Sequence, residues 1–136
     1  MKPTSRLSEE INAALARRAR VQRLHHRITR LLAKWQPRVG VLVQRWQIKP
    51  AKSYWATMDE GKSEIWFAED LADMPRSFVE VIVVHELAHY RTNGHDPAFF
   101  ELMDSLLPGW REIHEQHDQV SPVYSHGIRR RSSRGS

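Results

Sequence analysis

Apolar residues recur at three- and four-residue steps from Leu7 to Trp35, through Ile11, Ala14, Leu15, Val21, Leu24, Ile28, Leu31 and Leu32. That period places them on one helical face, and it predicts one long helix or two over residues 7–36, with Arg17, Arg18, Arg20, Arg23, Arg27 and Arg30 between them. Ser8 can cap the start, its hydroxyl accepting from the amide of Glu10 or Ile11, and Pro37 ends the pattern. From Val39 the period changes to two. Val39, Val41 and Val43, then Trp46 and Ile48, alternate with other residues and predict a strand interrupted at Pro50. Ser53 to Met58 and Ser63 to Ala68 read as short strands joined by Asp59-Glu60-Gly61-Lys62, a turn with Gly61 available for positive φ. The set predicts a small antiparallel sheet rather than an α/β repeat.

Pro75 suits the first turn of a helix, where its missing amide costs nothing. The run through Phe78, Val79, Val81, Ile82, Val83, Val84, Leu87 and Ala88 is apolar nearly all round, which predicts a buried central helix. Asn93-Gly94 would end it through a left-handed cap. Asp96-Pro97 then opens a helix carrying Phe99, Phe100, Leu102, Met103, Leu106 and Leu107, broken by Pro108-Gly109, and Trp110 to Gln119 forms another. The fold class is α+β. One domain over residues 1–124 is expected, with a helical segment at 7–36 and a core at 39–119. Residues 125–136 lack a core pattern and are expected to be disordered.

Charge adds an asymmetry. Residues 1–50 hold twelve Lys and Arg against two Glu, residues 51–120 hold five against fourteen acids, and residues 121–136 add four Arg. Basic ends of this kind could touch nucleic acid or an anionic surface; the plainer reading is that they solvate a helix face or attract the acidic middle of the same chain. No uncharged run reaches the roughly 18 to 20 residues that span a bilayer, and residues 1–20 have no signal-like apolar core, so a cytoplasmic location is expected. The absence of cysteine excludes disulfides and thiolate metal sites, leaving His and carboxylate as metal ligands.

The candidate chemistry lies on the apolar helix, where His85-Glu86-Leu87-Ala88-His89 is followed by Asn93-Gly94-His95. Two imidazoles four positions apart project from nearly the same face, separated by about 6 Å along the axis, with Glu86 beside them. Each can give one nitrogen to Zn²⁺, a third protein ligand completes the set, and water takes the open position. Shuffling this composition yields H-E-x-x-H in roughly three chains of a hundred, so the motif alone is moderately specific. Three sources of a third ligand exist: His95 beyond the Gly94 bend, a carboxylate from Glu101 or Asp104, and the His114/His117 pair. The plain alternative is that the two histidines are hydrogen-bonded core residues. It is weakened by two His and an acid lying together on a Val-rich helix.

HELAHYRTNGHDPAFF, with IKPAKSYWATMDEGKSEIWF upstream and PGW downstream, resembles the YgjP-like metallopeptidase domain, a zincin-like family, and is more distantly similar to SprT-like zinc proteins. The likeness runs from about Ile48 to Trp110. It implies His85, His89 and His95 as metal ligands and Glu86 as catalytic acid/base, and it sets Lys52 and Trp55 where the family's strand carries its Lys and Trp. The chain departs from the family at Ala56-Thr57-Met58, near Phe67-Ala68, and at Gly94 before the third His, which bears on substrate recognition rather than on the metal set.

The expected activity is hydrolysis of an amide bond in a peptide or protein by a Zn-activated water, with Glu86 as general base. Tyr90, Arg91 and Tyr124 are candidate oxyanion donors, and the edge of the strand Ser53 to Met58 could hold an extended peptide by strand addition. Trp46 and Trp55 could stack bases, but aromatic residues in strands usually belong to the core. Two other classes fit the same residues: a nucleic-acid-associated SprT-like protease, and a non-catalytic interaction module with a structural zinc site.

Overall fold

The computed structural model describes residues 5–59, 61–92, 94 and 96–117, and the backbone of Ile128–Arg129. The long apolar repeat forms a single helix, α1 (Arg6–Val39). Its cap is Ser5 and not Ser8: the Ser5 hydroxyl accepts from the Ser8 amide at 3.1 Å, giving the same cap three residues earlier. Pro37 does not stop the helix. It falls in the last turn, where one lost backbone bond is tolerated, and buried Val39 closes the helix as a core residue rather than opening a strand. Gly40 terminates it with φ 85°, its amide donating to the Gln36 carbonyl at 2.8 Å.

Only the second half of α1 packs. Leu24, Ile28, Leu31, Leu32, Trp35 and Val39 are buried, whereas Leu7, Ile11 and Leu15, part of the same expected apolar face, are exposed. The N-terminal half extends past the body of the domain. Arg17 and Arg20 tether it by pairing with Glu69, Asp70 and Asp73 on a 3₁₀ turn (Glu69–Asp73) absent from the sequence expectation.

The strands are β1 (Arg45–Lys49), β2 (Tyr54–Met58) and β3 (Glu64–Ala68), with a two-residue β4 (Ile128–Arg129), in the order β1-β3-β2-β4. The expected antiparallel sheet is mixed. β3 pairs antiparallel with β2 but parallel with β1, aligning Trp46 with Ile65 and Ile48 with Phe67. Alternation marks a strand and its buried face but not its partner, so the inserted position of β3 could not be read from periodicity. In the β2–β3 turn the positive φ belongs to Lys62 (59°) rather than to Gly61. The Asp59 carboxylate holds that turn, accepting from the Ser63 and Glu64 amides at 2.7 Å each. Of the tail expected to be disordered, Ile128–Arg129 form an edge strand on β2, and the rest lies outside the described residues.

Helix α2 (Arg76–Ala88) is the centre of the molecule, buried from Phe78 to Ala88 apart from Glu80 and packed against α1, β2, α3 (Pro97–Leu106) and α4 (Trp110–His117). Pro75 is its cap residue, one position earlier than a first-turn proline. Asp96 caps α3 as expected, its carboxylate accepting from the Phe99 amide at 3.0 Å. Phe78, Phe67, Ile65, Phe99, Met103 and Trp110 complete the core. Trp35, Trp55 and Trp110 are buried in it, with Trp55 edge-on to Phe78 at 5.3 Å, so these three serve packing, and Trp46 is half-buried against the core, edge-on to Phe67 at 5.9 Å. Among the described residues, no helix is long and apolar enough to cross a membrane.

Candidate metal centre

The last turns of α2 carry His85 and Glu86, and His89 is its C-terminal cap residue with α-helical φ and ψ. The helix ends here, earlier than an Asn93-Gly94 cap would allow. Three backbone bonds of the tighter i→i−3 type follow, from the amides of His89, Tyr90 and Arg91, before Gly94 turns the chain with φ 63°. One ligand atom from each of His85, Glu86 and His89 lies within 4.8 Å of the others, and all three residues are buried. The His85 and His89 rings lie 4.8 Å apart at 71°.

Phe99 of α3 sets their orientation. It stacks on His89 at 4.8 Å and meets His85 edge-on at 4.9 Å. Lys62, from the β2–β3 turn, donates to the His89 carbonyl at 2.8 Å and reaches the Thr92 carbonyl at 3.4 Å, so the hairpin is tied to the segment that follows the histidines. Neither residue stood out in the sequence as part of the site. Phe99 reads there as one more apolar position in a helical repeat, and Lys62 as a turn residue.

Glu86 is fully buried, and among the described residues neither carboxylate oxygen accepts a hydrogen bond. The nearest ring nitrogen, His85 Nδ1, is 3.6 Å from Oε2, beyond hydrogen-bond range. Burial pushes the Glu86 carboxyl up to about 7, against a smaller opposing pull from His89. A buried anion without partners is costly, and a cation with its bound water supplies what this carboxylate lacks. The donor set of imidazole and carboxylate, without thiolate, suits a divalent metal ion of the borderline class.

Other sequence candidates fall elsewhere. Glu101 is exposed on α3. Asp104 accepts from the Trp110 indole at 2.8 Å and pairs with Arg111, which holds its carboxyl below the usual range. His114 and His117 sit against Phe78, near the other end of α2. Among the described residues, none of these joins the His85–Glu86–His89 group. His95 and Tyr124 lie outside the described residues. Of the oxyanion candidates, Arg91 is committed to the α1 terminus, donating to the Val39 carbonyl at 2.8 Å. Tyr90 has a buried hydroxyl with no hydrogen-bond partner among the described residues; burial, then the charges of Glu86 and Asp59, raise its pKa. The β2 edge considered for a substrate strand is paired with the chain itself, Tyr54 with Arg129 and Ala56 with Ile128.

An α+β domain whose buried central helix presents two imidazoles and a carboxylate together is the arrangement of a metal-dependent, hydrolase-type protein. The chain belongs to the YgjP-like metallopeptidase domain family, whose model matches residues 2–119. It is also similar to the UTP pyrophosphatase of Escherichia coli (strain K12), 35% identical over 54 residues that cover 40% of this chain and 32% of the relative. The chain thus spans about a third of that curated relative. No solved structure matches it.

Proposed function

We propose that the chain is a zinc-dependent hydrolase in which His85, His89 and His95 hold the ion and Glu86 is the general base. The observation that carries this reading is the Glu86 carboxylate, enclosed with two imidazoles on one helical turn and given no hydrogen bond by the described residues. Bound Zn²⁺ would lower the pKa of a coordinated water toward about 7 and polarise the substrate oxygen. Glu86, whose proton affinity is already raised by burial, takes the proton from the attacking water and returns it to the leaving group. Tyr90, four residues beyond Glu86, is the donor we assign to the oxygen on which negative charge develops. Phe99 holds the imidazole planes and keeps bulk water from their apolar side.

The first substrate reading is an amide bond in a peptide or protein, supported by the metallopeptidase family. A second is favoured by one observation, the E. coli relative named UTP pyrophosphatase: a phosphoanhydride is open to the same attacking water, at phosphorus instead of carbon. A cytoplasmic location belongs to the same proposal. The test is to load purified chain with one equivalent of Zn²⁺ and supply a fluorogenic peptide library in one arm and UTP in the other. Peptide cleavage that disappears in Glu86→Gln while the zinc stays bound is the expected result. Glu86-dependent turnover of UTP alone moves the assignment to the second reading. Turnover that survives Glu86→Gln rejects both.

A further inference from the structure

A groove of about 680 Å³ follows the seam between α1 and the start of α2, lined by Arg23, Arg27, Arg30, Lys34, Arg76 and Glu80 among others. It opens away from the metal centre. Glu80 and His85 are five positions apart, about 140° around the helix, and Glu80 and His89 are about 180° apart. We propose that this groove binds the phosphate backbone of nucleic acid.

The charge on α1 divides into two parts. Arg17 and Arg20 are neutralised by Glu69, Asp70 and Asp73, which accounts for part of the basic N-terminus through the acidic middle of the chain. The groove side is different. Among the described residues its one lining carboxylate, Glu80, is occupied twice, by Lys34 Nζ at 2.9 Å and by the Trp35 indole at 2.7 Å. Asp73, whose carboxyl is held low first by its hydrogen bond from Arg20 and last by the charge of Arg23, is already engaged by Arg20. Among the described residues, no carboxylate pairs with Arg27, Arg30 or Arg76.

These cations also repel one another. Arg23 and Arg27, and Arg30 and Lys34, are like charges at i,i+4, and Arg76 stands in the first turn of α2, where the helix dipole is positive and no acidic residue offsets it. An arrangement that opposes itself in the free protein is relieved by a polyanion. The spacing indicates which kind. Arg23, Arg27, Arg30 and Lys34 follow each other at steps of about 4.5 to 6 Å over about 16 Å of helix, a row that a single phosphate cannot use and a run of backbone phosphates can. Among the described residues, the lining holds one aromatic ring, the His26 imidazole, beside five cations and no Trp, Tyr or Phe, so recognition there is chiefly of charge and not of sequence.

The experiment measures anisotropy of a labelled 20-base-pair duplex of arbitrary sequence with the full chain, from 50 to 300 mM salt. The wild type is expected to show a steep log–log salt dependence. The triple variant Arg27→Ala, Arg30→Ala, Arg76→Ala should flatten that slope by about 3. A control of equal charge loss elsewhere, Arg45→Ala, Lys52→Ala, Arg111→Ala, should change it by less than 1, and circular dichroism checks that both remain folded. Equal loss in the two triple variants, a slope the groove variant leaves unchanged, or groove-dependent binding to phosphatidylserine vesicles without duplex binding would each overturn the proposal. Hydrolysis is not read in any arm, so this outcome is separate from that of the hydrolase reading.

Discussion

Replacing Glu86 by Gln should make the metal-free protein more stable, and only at neutral to alkaline pH. Glu86 is fully buried, so solvent does not screen its charge, and its carboxyl moves from an ordinary 4.5 to about 7 in the fold. Below pH 4.5 the group is protonated in both folded and unfolded chains and contributes nothing. As pH rises toward 7 the unfolded chain ionises first while the folded one keeps its proton, so stability declines; above about 7 the loss levels off at about 3 kcal/mol. Glutamine has the same shape and no charge, and it escapes that loss. Urea unfolding under a chelator, followed through the tryptophan fluorescence, should therefore give matching midpoints at pH 4 and a variant midpoint higher by about 1 to 3 M at pH 8. Saturating zinc should narrow the pH 8 gap, because a cation stabilises the carboxylate but not the amide. A difference that does not vary with pH, or a variant less stable at pH 8, would refute the account of Glu86 as a buried anion awaiting a cation.

Tyr90→Phe removes a hydroxyl that bonds nothing among the described residues; stability should change by less than about 1 kcal/mol, while turnover drops about 100-fold at unchanged zinc content. Unaltered turnover would take Tyr90 out of the mechanism. Lys62→Met cuts the bonds to the His89 and Thr92 carbonyls, and chelator competition should show zinc affinity reduced about tenfold; equal affinities would mean the hairpin does not position the ligand segment. Arg20→Ala removes the Arg20 bonds to Asp73 and Asp70, the latter keeping Lys52, and should cost about 1 kcal/mol at pH 7, an amount kept small by partial exposure. Hydrogen bonds from Arg17 and Arg20 hold the Glu69 and Asp73 carboxyls below their usual values, so this stability is present above about pH 4.5 and vanishes as pH falls through the depressed values. A gap that persists at pH 2.5 would contradict it.

The helices and the chemistry they carry are legible in the order of residues alone. A repeat of three and four marks α1, an unbroken apolar run marks α2 as central, and the H-E-x-x-H spacing alone puts two imidazoles and an acid on one turn, because helix geometry is local. Whatever depends on partners distant in the chain emerges with folding. β3 lies between β1 and β2 and runs parallel to the first, since alternation fixes a strand's buried face but leaves its neighbour open. Leu7, Ile11 and Leu15 share the expected apolar pattern with Leu24 and Ile28 yet remain in solvent, because the body of the domain does not reach that far along α1. The row of arginines looked uniform in the sequence. Folding separated it, bringing Arg17 and Arg20 to acidic partners some fifty residues away and leaving Arg27 and Arg30 facing a groove without them, because Coulomb pairing depends on distance in space and not along the chain.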